Sequence, residues 1–87
     1  MRPVEDGGRG CSDLCYHVGM EVRKRTTRAA LADDVSVEAW AESRGVNPRT
    51  LRRVASGLTL SRRAIQDICD ALDTTPVALF RAALKGV

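Results

Sequence analysis

A chain of 87 residues with 44% apolar but only 3% aromatic residues has room for one small core of Leu, Val, Ile and Ala, because below roughly 100 residues a second core cannot bury enough surface. No apolar run approaches the roughly 20 residues of a membrane-spanning helix, and the polar, glycine-rich start from Met1 to Gly10 lacks the apolar section of a signal peptide, so a soluble cytoplasmic protein is expected. The net charge of +3 is unevenly spread: acidic and basic residues cancel from Met1 to Asp34, whereas Ser43 to Gln66 holds Arg44, Arg49, Arg52, Arg53, Arg62 and Arg63 and no acid. A solvated helix face normally mixes signs, so this stretch points to an anionic partner.

Residues 1–11 show no periodicity and read as a flexible arm ahead of a domain over 12–87. Ser12 can cap a helix through Leu14, Val18 and Val22 that continues towards Leu31 and Ala32, although Gly19 and the pair Thr26 and Thr27 weaken it. Ser36 is the next N-cap, with Glu38 in the first turn and Val35 placed to staple onto Trp40, and it opens a short helix from Val37 to Arg44. Gly45 ends that helix cheaply, and Asn47 followed by Pro48 starts another.

In this second helix Leu51, Val54 and Leu58 form the packing side, while Arg49, Arg52, Arg53 and Ser56 form the other. Gly57 closes it. Leu60 and Ile65 can staple around the cap Ser61, and Ala64, Ile65, Ile68, Cys69 and Leu72 make the buried stripe of a helix ending near Asp73. Thr75 and Pro76 repeat the cap-then-proline start of a last helix, along which Val77, Phe80, Leu84 and Val87 recur, with Val77 and Phe80 expected in the core. No strand pattern appears, so the fold class is all-α, a bundle of about five short helices.

From Val35 to Phe80, about half the chain, the sequence resembles the Cro/cI type of helix-turn-helix DNA-binding domain, the lambda-repressor-like fold of phage repressors and many bacterial regulators. The resemblance rests on Trp40-Ala41-Glu42, Gly45-Val46-Asn47, Thr50-Leu51, Ser56-Gly57, and Ala71-Leu72-Asp73 leading to Val77, Leu79 and Phe80. Ala41 is small enough for two helices to cross closely, Gly45 makes the turn, and Leu51 and Val54 bury against the preceding helix. Three positions depart from the family pattern. Val37 stands where a phosphate-touching Gln is frequent, Arg44 where an apolar residue usually precedes the turn, and Ala55 where a Glu is common.

The resemblance implies a recognition helix over about 48–56 in the major groove of double-stranded DNA, with Pro48, Arg49, Thr50 and Arg53 at the base-facing places. Arginine pairs bidentately with guanine, so Arg49 and Arg53 imply guanine in the half-site. Backbone contacts are expected from Ser36, Arg44, Asn47, Arg52, Thr59, Ser61, Arg62 and Arg63. The arginine pair opening a helix at 62–63 opposes its dipole by about 0.3–1 kcal/mol each, a cost understandable if both face phosphates.

Cys11, Cys15 and His17 have a metal-like spacing, but no fourth ligand is near and Cys69 belongs to an apolar face, so reduced cysteines and no metal or other cofactor are expected. His17 is the only histidine, no nucleophile and base are paired, and no enzyme is expected. Arg2 and Arg9 of the arm can reach a minor groove. Leu84 and Val87 can form a two-fold homodimer contact, which a palindromic site would favour. The function expected is a sequence-specific transcription regulator, most like a Cro protein or repressor occupying an operator. The alternatives are an antitoxin-like protein-interaction module or the DNA-binding domain of a longer regulator.

Overall fold

The structure, a computed structural model, describes residues 12–85. They form five helices and no strand: α1 (Ser12–Ala32), α2 (Val37–Ser43), α3 (Pro48–Ala55), α4 (Arg62–Ala71) and α5 (Pro76–Lys85). The expected arm with Arg2 and Arg9, Cys11, and the terminal Val87 lie outside the described residues.

The four starts from α2 onwards are set by the side chains the sequence marks. Ser36 Oγ accepts from Ala39 N–H at 3.1 Å, Asn47 Oδ1 from Arg49 N–H at 2.9 Å, Ser61 Oγ from Ala64 N–H at 3.4 Å, and Thr75 Oγ1 from Ala78 N–H at 3.1 Å. Each satisfies a backbone donor that has no partner inside its own helix.

The ends of α1 to α4 share one device, in which the chain turns through a left-handed residue and two N–H groups reach back into the last turn. After α2, Gly45 N–H bonds Glu42 O and Val46 N–H bonds Ala41 O, and after α3, Gly57 N–H bonds Val54 O and Leu58 N–H bonds Arg53 O. Asp34 and Asp73 fill the same place after α1 and α4, both at φ 58°. Aspartate tolerates this conformation better than most residues, which makes it a serviceable stop without glycine.

α1 is a single helix of 21 residues, and it packs on α2, α3 and α5. Its buried stripe is Cys15, Val18, Val22, Thr26 and Ala30. The sequence reading is corrected at its far end, because Leu31 is 76% exposed and Ala30 takes the inward place instead. The three residues counted against this helix all lie within it, Gly19 and Thr26 buried and Thr27 exposed. Thr26 is buried with its hydroxyl donating to Val22 O at 2.8 Å, so it carries no unpaired polar group into the core. Gly19 lies where α1 meets the end of α3: a Cβ there would stand 2.7 Å from Val54 O and 3.0 Å from Ala55 O.

Further positions differ from the periodic pattern. Leu58 is exposed rather than packed, because α3 ends at Ala55 and the turn at Gly57 takes Leu58 off the helical face. Val35 is exposed, so the expected staple onto Trp40 leaves much of its side chain in solvent. On α5 the inward residues are Leu79 and Ala83, with Phe80 partly covered, while Val77 is 64% exposed and Leu84 54%. The expectation of a buried Val77 is therefore wrong. Leu79 and Ala83, one turn apart, set the register, and Ala83 is small enough to bring α5 close to its neighbours.

Gly19→Ala gives a diagnostic sign. In an open helix interior this change stabilises by about 0.5–1 kcal/mol. Here the clash with backbone carbonyls, which cannot rotate away, should instead destabilise by roughly 1–3 kcal/mol, read as a lower midpoint in urea unfolding.

Candidate nucleic-acid interface

The α2–turn–α3 unit presents the start of α3 outward because its opposite side is taken up by packing. Leu51 and Val54 are buried against α1 and α2, and Trp40, Ala41 and Val46 complete that part of the core. Arg49, Arg52 and Arg53 are left exposed, with Pro48 and Thr50 half-covered beside them.

Ion pairing divides the arginines of this segment into two sets. Arg52 Nη2 lies 2.8 Å from Glu38 Oε2 on α2. Arg44 Nη2 lies 3.6 Å from Asp33 Oδ2, with its guanidinium carbon 5.8 Å from the centroid of the Trp40 ring. The Arg44 stem thus covers apolar surface, and its charge is turned towards the end of α1. Arg49, Arg53, Arg62 and Arg63 are exposed, and no acidic side chain of the described residues lies within ion-pair distance of them.

Several of the marked residues come together around one depression between α3 and the start of α4. Thr50 and Arg53 line it from α3, Thr59 and Ser61 from the connecting turn, and Arg63 from α4. Three hydroxyls and two guanidinium groups in one concavity suit an anionic oxygen cluster, since both groups donate hydrogen bonds and arginine adds charge. Asp67 also lines it and opposes that preference from one side. The sequence reading missed Asp67, although its place one turn after Arg63 on α4 was available. Pro48 and Arg52 line a separate depression with Glu38, Arg23 and Thr27, so they stand apart from the Thr50–Arg63 group. Ser36 and Asn47 remain at the starts of α2 and α3, with their acceptor oxygens engaged in capping.

The two described cysteines, Cys15 and Cys69, offer no comparable chemistry. Both are buried. Desolvation in the core, reinforced by the neighbouring charge of Asp70 and only partly opposed by Arg25, pushes the Cys69 thiol above its usual value. A thiol so placed carries little thiolate, the form that ligates metals and attacks electrophiles. Among the described residues no group of three or more His, Cys, Asp and Glu side chains is arranged to hold a metal ion. No helix of the described residues is long and apolar enough to cross a membrane.

Comparison of the chain with protein-family profiles, with curated proteins and with solved structures finds no match.

The cap on α3 holds the exposed arginines in register, and its contribution is measurable apart from any ligand. Asn47→Ala should cost about 1 kcal/mol of unfolding free energy, whereas Asn47→Asp, which keeps the accepting oxygen, should cost little. Chemical denaturation of the two variants beside the parent chain checks this.

Proposed function

We propose that this chain binds double-stranded DNA sequence-specifically and acts in the cytoplasm as a transcription regulator of the Cro or repressor kind. The observation that carries the proposal is the set of arginines without ion-pair partners among the described residues, Arg49 and Arg53 on α3 and Arg62 and Arg63 at the start of α4, with Arg53 and Arg63 beside the hydroxyls of Thr50, Thr59 and Ser61. In this proposal α2, the Gly45 turn and α3 act as a helix-turn-helix of lambda-repressor type, and α3 lies in the major groove. Pro48, Arg49, Thr50 and Arg53 meet base edges. Ser36, Asn47, Thr59, Ser61, Arg62 and Arg63 meet phosphates, and the protein works by occupancy rather than catalysis.

Arg44 and Arg52 take a different part. A surface ion pair contributes only about 0–1 kcal/mol, so either arginine can exchange its carboxylate for a phosphate at small cost. Glu38 then acts as a counter-charge that tempers binding to DNA of any sequence.

Val77 and Leu84 are stacked two turns apart on the exposed side of α5, flanked by the half-covered Phe80. A two-fold contact through this stripe would place two recognition helices on one palindromic site. The same stripe is what favours the second reading, an antitoxin-like module in which α5 binds another protein.

Arg49→Ala is expected to alter which duplexes are preferred, by about 1–3 kcal/mol at the base it contacts, while Arg62→Ala weakens all duplexes alike and flattens the salt dependence by about one unit. Selection of bound sites from random duplexes, followed by salt titrations of both variants, separates the two effects. Equal loss on selected and random DNA for Arg49→Ala would remove it from the base-reading set. Glu38→Gln is expected to steepen the salt dependence by up to about one unit as Arg52 is released.

Leu84→Lys is expected to shift sedimentation from dimer to monomer. A parent chain that is monomeric and has no measurable DNA affinity at low salt would favour the protein-interaction module.

A further inference from the structure

α1 carries a second apolar stripe that the fold leaves uncovered. Tyr16 is 57% exposed, Met20 50% and Leu31 76%. At 100° per residue these three, with Thr27, fall within about 60° of one another, centred about 130° from the buried stripe of Cys15, Val18, Val22 and Ala30. The stripe runs about 22 Å along the helix. It borders a shallow depression of about 750 Å³ that Ala82 and Ala83 of α5 close on one side. A helix with one apolar face in the core and another in solvent is short of a partner.

The charges around the stripe indicate which partner. Arg23, Lys24 and Arg28 line the same depression and Glu21 is the one acid among its lining residues. Glu21 is already engaged by Arg25 at 2.7 Å and by Lys24 at 3.8 Å, whereas no ion pair is formed by Arg23 or Arg28 among the described residues. A second copy of the chain fits poorly, since a two-fold antiparallel pairing of the stripe sets Arg23 and Lys24 against the same residues of its mate. Duplex DNA would satisfy the arginines but leave Tyr16, Met20 and Leu31 facing a polar surface.

We propose that the outer face of α1 is a docking site for an amphipathic helix of another protein, its apolar side laid along Tyr16, Met20 and Leu31 and its acidic flanks meeting Arg23, Lys24 and Arg28. Arg23 and Thr27 also border the depression of Pro48 and Arg52, but the site uses none of the exposed arginines of α3 and α4 and does not depend on their binding DNA.

The test uses the full chain and three synthetic helices: one with leucines at i, i+4, i+7 and i+11 flanked by glutamates, the same helix flanked by lysines, and a glutamate helix with alanines for leucines. Titration followed by amide resonances is expected to show the first binding roughly five- to tenfold more tightly than the second at low salt. The shifts should centre on Tyr16, Met20, Leu31 and Ala82, and the alanine helix should not bind.

Met20→Glu should abolish binding with the thermal midpoint nearly unchanged, because the site is exposed, and Arg23→Glu with Arg28→Glu should turn the preference towards the lysine helix. Equal binding of both leucine helices, shifts centred elsewhere or no binding would overturn the proposal. So would a dimer that Met20→Glu dissociates, which would assign the face to a second copy, or perturbation of these resonances by duplex DNA alone.

Discussion

The closeness of α1 to α3 at Gly19 is the constraint on which the rest of the bundle depends. With hydrogen in place of a side chain, the backbone of α1 comes near enough to Val54 and Ala55 for Val18 and Val22 to share a core with Leu51 and Val54. Gly57, whose φ is +76°, lies against the backbone of Cys15 and Tyr16 from the other side. At Gly19 the missing side chain is what lets the two stretches of main chain meet, whereas at Gly57 a Cβ would make only ordinary contacts and it is the left-handed φ that calls for glycine. α1 also packs on α2 and α5, so one helix fixes the attitude of both the turn unit and the last helix.

Upon that frame the electrostatics are arranged by subtraction. Six arginines occur between Ser43 and Gln66, but acids from α2 and the end of α1 take up two of them, Glu38 holding Arg52 and Asp33 lying by Arg44. The charge left uncompensated is concentrated on α3 and the start of α4. Pairing in solvent contributes little to stability, so its main effect is on the shape of the field, narrowing a long basic stretch to a patch.

How much of this was legible in the sequence depends on the range of the interaction. The caps Ser36, Asn47, Ser61 and Thr75, and the stops Gly45 and Gly57, act within a few residues, so side-chain type alone places them, and the α4 stripe from Ala64 to Cys69 follows from simple periodicity. The inward face of α1 was legible through Val18 and Val22 and missed only at Leu31, while α5 was harder because it carries two apolar stripes, Leu79 and Ala83 against Val77 and Leu84. Periodicity identifies both stripes, and only packing decides between them. Gly19 was misjudged because helix propensity counts what a residue does alone, whereas its use here lies in α3, more than thirty residues away. In the candidate site, exposure of Arg49 and Arg53 could be read from α3, but the partners Glu38 and Asp33 could not, since Arg52–Glu38 joins two helices and Arg44–Asp33 joins the segments that follow two others.

Trp40 is the sole tryptophan, is 1% exposed, and keeps its indole Nε1 without an acceptor among the described residues. An unpartnered buried N–H is a standing penalty of about 1–3 kcal/mol, offset by the packing of the ring in the core beneath Arg44. This placement also makes the ring an optical probe of the turn unit. Any loosening that lets α2 lift from α1 admits water to the indole, satisfies its N–H and shifts its emission to longer wavelength. The least comfortable polar atom of the core would then signal the opening of the helix that supports α3.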